Sequence, residues 1–320
     1  MGTEIYVVVE HLRGQVMEIS YIMLAAARAY AAGSEGEVVA LLLGNDTEDL
    51  AKDFNADRVL YLEHPALTEF TPDAYLEALA PQIEADTPRA VLLGHTTIGM
   101  DVASGLSARL GLPMVSQCQQ LSADQKFTSK ICGGKIMVQG LLPEPTALVT
   151  MIPGGYKSEA GRSDKTPSLT KVAVSELKAP RVKVKEYFLP EAGDVDISRE
   201  TLLVAVGRGL QNQDDLDQAR ELAQALGGTV CASRPIVDQG WLPTTRLVGK
   251  SGLHVKPKVY LALGISGAPE HVEAITDSDL IVAINTDPDA PIFELAQFGA
   301  DIDLYDFIPA MLQQLQQLKV

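Results

Sequence analysis

Val259-Tyr-Leu-Ala-Leu-Gly264-Ile-Ser-Gly-Ala-Pro-Glu-His271 passes from an apolar run through a small-residue turn into the start of a helix. The run shows no polar alternation, which is the pattern of a strand covered on both faces. Pro269 is tolerated in a first helical turn because it gives up only an N–H that has no intrahelical partner there. The stretch is therefore a strand-to-helix turn of a parallel α/β sheet, and the same rhythm recurs on both sides of it. Residues 202–206, 229–232, 280–284 and 301–304 read as further strands. Residues 214–226 read as a helix closed by Gly227-Gly228, and 305–319 as a final amphipathic helix.

The first half of the 320 residues alternates in the same way. Strands are expected at 5–10, 37–43, 58–62 and 89–93, and helices at 17–32, 46–53, 72–85 and 101–110. Between about 115 and 188 the helical signal fades. Residues 119–121, 127–132, 135–141, 147–151 and 182–188 read as shorter strands between Gly and Pro turns, an antiparallel extension of the first sheet. Residues 189–200, with Pro190, Gly193 and several acids, lack periodicity and mark a domain boundary. The expected fold is α/β in two domains. The first, 1–190, is Rossmann-like with an antiparallel extension; the second, 195–320, is a doubly wound parallel sheet.

Charge narrows the partners. Lys and Arg number 26 against 42 Asp and Glu, a net charge of −16 with no basic run, so nucleic acid and anionic bilayers are poor partners. No apolar run approaches the roughly 18 to 20 residues a membrane span needs. The N-terminus has neither the basic start of a signal peptide nor the Arg-rich look of a transit peptide, so a cytoplasmic protein is expected. Cys118, Cys132 and Cys231 form no CxxC pair, which argues against zinc, iron–sulfur and disulfide frameworks. All three are expected to be buried thiols in a reducing compartment.

Chemistry is expected in the loops that follow the strands of the second domain, because ligands of open α/β sheets bind at the carboxyl ends of strands. Val206-Gly-Arg-Gly-Leu210 invites a dinucleotide reading, but the third glycine is replaced by Asn212. Gly249-Lys-Ser251 resembles the end of a phosphate loop, yet the required leading glycine is Thr244. In 264–271, Ser266, Gly267 and Ala268 are small enough to let backbone N–H groups approach an anion, although an ordinary turn with a serine cap fits equally. His271 fits a core histidine or an imidazole that stabilises negative charge on a bound ring. Ser233 and Arg234 follow another strand, and Asn285 ends a further one. No Ser/His/Asp arrangement and no HExxH pair is present, so nothing points to a hydrolase.

In order along the chain, Val206-Gly-Arg-Gly-Leu210, Ser233-Arg-Pro235, Val237-Asp-Gln-Gly-Trp241, Val248-Gly-Lys-Ser-Gly252, Gly264-Ile-Ser-Gly-Ala268 with His271, and Ala283-Ile-Asn-Thr-Asp-Pro288 with Ala290-Pro-Ile-Phe293 closely resemble the C-terminal domain of the electron-transfer flavoprotein alpha subunit. The resemblance spans about 200–310 and continues more weakly through Val7-Val-Val-Glu10, Cys132-Gly-Gly134 and Ile152-Pro-Gly-Gly155. It implies a heterodimer with a beta subunit and FAD carried mainly by the second domain. It also implies electron transfer from flavin dehydrogenases, such as acyl-CoA dehydrogenases of fatty acid beta-oxidation, to a quinone reductase or another acceptor. Such a carrier turns over no substrate and has no catalytic residue. AMP belongs to the beta subunit, and the first domain is expected to contact that subunit.

By the same resemblance, Arg208 lies against the cofactor, Ser233 and Arg234 contact the flavin region, and Ser251 reaches the flavin N5 from the Val248-Gly249-Lys250 loop. Ser266, Gly267, Ala268, Pro269, Glu270 and His271 hold the diphosphate and the pyrimidine edge, while Asn285, Asp303 and Leu304 line the adenosine end. Three positions depart from the family: Lys250 and Glu270 stand where glutamine is common, and Thr286 where lysine is common. Lys250 is expected to favour the reduced, more negative flavin. One alternative is a subunit of an electron-bifurcating NADH-dependent complex. Others are a nicotinamide dehydrogenase, for which the glycine fingerprint is incomplete, and a cofactor-free interaction protein of the same fold.

Overall fold

The computed structural model describes residues 2–33, 36–132, 136–174, 177, 181–187 and 195–318. The chain divides into two compact units, Met1–Tyr187 and Phe188–Val320. The first unit contains β1 (Ile5–Val8), a small hairpin of β2 (His11–Leu12) and β3 (Gln15–Val16), α1 (Glu18–Ala31), β4 (Val38–Gly44), β5 (Arg58–Glu63), α2 (Pro72–Asp86), β6 (Ala90–Gly94) and α3 (Thr97–Leu110). It continues through β7 (Met114–Leu121), β8 (Lys126–Ile131), β9 (Ile136–Leu141), β10 (Ala147–Met151) and β11 (Ser168–Ala173). These build one nine-stranded sheet in the order β11-β5-β4-β1-β6-β10-β7-β8-β9.

Strand side chains alternate between two cores. Ile5, Val7, Val38, Ala40 and Leu42 pack with α1 on one face, and Tyr6, Val8, Val39, Leu41 and Leu43 with α2 and α3 on the other. That double cover is why β1, β4 and β6 are apolar at nearly every position. Within this sheet, among the described residues, only β7–β8 and β8–β9 pair antiparallel. Residues 147–151 do not belong to that extension: β10 lies parallel between β6 and β7, wholly buried. Its unbroken run Ala-Leu-Val-Thr-Met is the mark of a central strand, obscured by its place in the sequence among hairpin strands. Residues 182–187 form no strand, and Phe188 lies outside the described residues. The expected helix at 46–53 is a 3-10 turn, Glu48–Asp53, and β11, an exposed edge strand parallel to β5, had no strong sequence signal. Cys132 is exposed, whereas Cys118 and Cys231 are buried.

The second unit contains β12 (Leu202–Val206), α4 (Leu216–Leu226), β13 (Thr229–Ala232), α5 (Arg234–Asp238), β14 (Val259–Leu263), α6 (Pro269–Val272), β15 (Ile281–Asn285), β16 (Phe298–Asp301) and α7 (Leu304–Leu318). All five strands are parallel, in the order β13-β12-β14-β15-β16. The apolar faces of α4 and α7 cover one side of this sheet, and Ile265, Ala274, Ile275 and Ile292 cover the other. The last strand is 298–301 rather than 301–304, because Leu304 already opens α7. Of the boundary stretch 189–200, residues 189–194 lie outside the described residues.

One polar side chain is built into the first core. Glu10, at the end of β1, is 3% exposed, and its carboxylate accepts from the Gly94 N–H at 3.2 Å and from Thr96 Oγ1 at 2.8 and 3.0 Å. Gly94 makes room for it, since a Cβ there would fall 2.4 Å from Glu10 Oε1. Thr96 in turn caps α3 by accepting from the Gly99 N–H at 2.9 Å. Burial outweighs these donors and pushes the Glu10 pKa from 4.5 up to about 7. The folded protein therefore favours protonated Glu10, and stability drains away as pH rises from 4.5 through 7, by something on the order of 3 kcal/mol. Glu10→Gln is expected to flatten this part of the pH profile and to be the more stable protein above pH 7. Hydrogen exchange of the β1 and β6 amides at several pH values checks it; parallel profiles for the two proteins would refute it.

Candidate cofactor site

In the second unit the strand order reverses between β12, whose chain continues outward to β13, and β14, which continues to β15 and β16. A crevice at such a reversal, outside the carboxyl ends of the strands, is where open α/β sheets place ligands. The loops after β12 and β14 meet there. Gly209 N–H donates to the Gly264 carbonyl at 3.0 Å, and a Cβ on Gly209 would fall 2.6 Å from Gly264 Cα. Leu304, buried at the start of α7, packs beneath this contact and so forms a floor. Asp303 beside it accepts from the Tyr305 N–H at 3.0 Å, opening α7.

The loop after β14 is held open toward solvent. Ser266 carbonyl accepts from the Ile292 N–H at 3.0 Å. Gly267 has φ +87°, and a Cβ there would fall 2.4 Å from Ile292 N. Asn285 braces the loop through Nδ2, which donates to the Ile265 carbonyl at 2.9 Å, while its Oδ1 accepts from the Asp287 N–H at 3.0 Å. The N–H groups of Ser266, Gly267 and Ala268 have no hydrogen-bond partner among the described residues. Three successive free donors make an anion-binding concavity. α6 is only four residues long, so these N–H groups, rather than a helix dipole, carry the attraction.

A second loop closes over the same edge. Residues 248–252 are joined to β13 by Val248 N–H donating to the Ala232 carbonyl at 2.9 Å, and to α6 by Lys250 N–H donating to the Glu270 carbonyl at 2.7 Å. Gly249 and Gly252 turn this loop back so that Ser251 is presented outward. Arg234 Nη1 donates to Ser251 Oγ at 3.0 Å, and its Nε pairs with Asp238 at 2.6 Å. The sequence reading named Arg234 and Ser251 separately and did not include Asp238. Ser233, buried after β13, folds its hydroxyl back toward the Val206 carbonyl at 3.5 Å. Arg208 and Lys250 are exposed, with no side-chain partner among the described residues. Pro269 opens α6, and the exposed Glu270 side chain points no charge-pair at either of them.

His271 is 7% exposed. Its Nδ1 lies 3.0 Å from the Val248 carbonyl and its Nε2 2.9 Å from the Tyr260 hydroxyl. Burial pushes its pKa from 6.5 down to about 4, so the ring is neutral. A charged imidazole at a ligand ring is therefore not what this structure presents; positive potential comes from Arg208, Arg234 and Lys250. Tyr260 and Ile292, which support His271 and Gly267, were missed in the sequence because a tyrosine inside a strand and an isoleucine in a turn read as ordinary core. The donor set fits a phosphate-bearing ligand that also carries a ring near Ser251.

Residues 5–177 match the electron transfer flavoprotein domain, and residues 196–276 match the electron transfer flavoprotein FAD-binding domain. The electron transfer flavoprotein subunit alpha of Bacillus subtilis is 31% identical over 100% of this chain and 99% of its own length. The acryloyl-CoA reductase electron transfer subunit beta of Anaerotignum propionicum is 30% identical over 99% of this chain and 96% of its own. The lactate dehydrogenase (NAD(+),ferredoxin) subunit LctC of Acetobacterium woodii is 31% identical over 98% of this chain and 77% of its own. Two domain models placed end to end, on two doubly covered sheets, settle the family: the chain belongs to the electron transfer flavoproteins, as an alpha subunit.

Proposed function

We propose that this chain is the FAD-bearing half of a heterodimeric electron carrier, which takes electrons from a flavin dehydrogenase and passes them to a quinone reductase or another acceptor. The observation that supports this reading is the row of N–H groups on Ser266, Gly267 and Ala268 with no partner among the described residues, in a unit that also exposes Arg208, Arg234 and Lys250. When bound, FAD supplies the electron-accepting and electron-releasing chemistry. Ser266, Gly267 and Ala268 would hold its diphosphate, with Pro269 and Glu270 shaping the turn. Ser251, oriented by Arg234, would direct its hydroxyl to the ring. Arg208 and Lys250 would add positive potential, which favours gain of negative charge. Asn285, Asp303 and Leu304 would shape the adenosine end.

The partner is a beta subunit, the subunit to which AMP is assigned. The first unit offers a surface for it: Ile136, Met137 and Leu141 on the edge strand β9 are 49%, 52% and 66% exposed. An apolar edge of this kind is normally covered. Three unpaired cysteines suit the cytoplasm, and no helix among the described residues is long and apolar enough to cross a membrane. Acyl-CoA dehydrogenases are one proposed class of donor. The printed name of the Acetobacterium relative includes NAD(+) and ferredoxin, which favours a second reading as part of a bifurcating complex.

The complex co-purified with its beta subunit is expected to be yellow, and stepwise reduction followed in the visible spectrum should resolve two one-electron stages. A colourless complex would sink the carrier reading, and reduction by NADH without any dehydrogenase would select the bifurcating one. Lys250→Gln should lower the midpoint potential of the bound flavin by an amount on the order of tens of millivolts. Unchanged potentials would show that Lys250 does not tune the ring. Gly267→Ala should destabilise the second unit by roughly 1–3 kcal/mol and release FAD. Gly240, at φ +73° with nothing within 4 Å of a Cβ, supplies the control. Gly240→Ala should cost about 1 kcal/mol at most and retain FAD. Equal FAD retention by the two variants would refute the role given to the 266–268 loop.

A further inference from the structure

Three groups at the foot of loop 248–252 have only one way to share their protons. The Val248 carbonyl can only accept, so His271 Nδ1, 3.0 Å away, carries the hydrogen. The buried ring is neutral, which leaves Nε2 as a bare acceptor, and the Tyr260 hydroxyl at 2.9 Å must donate to it. Burial holds the phenol well above its ordinary range, so it keeps the proton that it gives to Nε2. The opposite arrangement would set a bare ring nitrogen against the Val248 carbonyl, two lone pairs facing each other.

We infer that Tyr260 and His271 form a one-directional hydrogen-bond relay ending on Val248, and that Tyr260 is a positioning residue for the loop that presents Lys250 and Ser251. The sheet register makes the relay possible. Ala205 pairs with both Cys231 and Ala262, and Leu203 with Tyr260, so all five side chains share one face. The small Ala205 and Ala262 lie beside the tyrosine on that face, and its ring sits 6.0 Å from the imidazole centroid. His271 comes from α6, whose Glu270 carbonyl also accepts from Lys250 N–H at 2.7 Å. Loop 248–252 is thus anchored at two adjacent points to one short helix, and the relay fixes the first of them. The consequence for FAD rests on the cofactor reading given above; the proton placement does not.

The test has two parts. A long-range proton–nitrogen spectrum of the full chain, labelled with nitrogen-15 at its 5 histidines and purified with its partner subunit, reads the His271 tautomer directly. Assignment comes from His271→Asn. The expected pattern is a neutral ring with Nδ1 protonated and Nε2 bare. An Nε2-protonated ring, or an imidazolium at neutral pH, would overturn the relay. Tyr260→Phe then removes one oxygen. It should move the His271 Nε2 signal and weaken FAD binding roughly tenfold, with a shifted visible band of the bound flavin. An unmoved Nε2 signal in Tyr260→Phe refutes the relay, and unchanged FAD affinity with a moved signal refutes the positioning role. If the parent binds no FAD while its tautomer is as derived, the cofactor reading fails and the relay stands.

Discussion

The carbonyl of Val248 can only accept a hydrogen bond, and the group that satisfies it is a buried imidazole from a different segment of the second unit. Much of the cofactor edge depends on that one bond. It ties the end of loop 248–252 to α6, α6 follows directly on the free N–H groups of Ser266, Gly267 and Ala268, and Ile292 holds those from below. Two ligand-facing loops are thereby set against each other by groups that do not themselves face outward. A site that must hold a ring and a diphosphate at fixed spacing needs this kind of rigid support, because loops alone do not hold such spacing.

Charge is arranged against the background of the whole chain. A net charge of −16 repels an anionic ligand at long range, yet Arg208, Arg234 and Lys250 are all exposed on segments that follow β12 and β13. Local cations dominate at contact distance, since exposed charges beyond about 10 Å are screened in salt. The buried titratable groups pull the two units in opposite directions. Glu10 is destabilising once ionised, so the first unit weakens as pH rises from 4.5 through 7. His271 resists protonation when folded but not when unfolded, so the second unit weakens as pH falls from 6.5 toward 4.

Strands 229–232 and 259–263 were legible to the residue, because unbroken apolar runs bounded by glycine leave little choice of register or ends. The turn 264–271 was legible as a turn, whereas the hydrogen bond between Arg234 and Ser251 was not, since nothing local joins positions 17 residues apart. What the sequence did not disclose was long-range pairing. Nothing local in 147–151 says that it inserts between β6 and β7 instead of joining the hairpin before it, and nothing in 168–173 says that it crosses to β5. His271 was legible as a residue of the site but not as a neutral one, because its charge is set by burial under a loop more than twenty residues earlier. Tyr260 was invisible because its hydrogen-bond partner, His271, comes from the helix beyond the turn.

Both units repeat one architectural solution, a mostly parallel sheet covered on two faces, and both place backbone donors at a reversal of strand order. In the first unit β1 and β6 meet at that reversal, and the donors there, Gly94 N–H and Thr96 Oγ1, are already occupied by the chain's own Glu10 carboxylate. In the second unit the corresponding donors after β14 have no partner among the described residues. A carboxylate and a phosphate oxygen make similar demands on such a position, so filling it from within removes the vacancy that an external anion would use. The same physics therefore yields a self-satisfied edge in one unit and an unsatisfied one in the other. That asymmetry leaves the unpartnered donors in the second unit, the part of the chain whose sequence matches the FAD-binding domain.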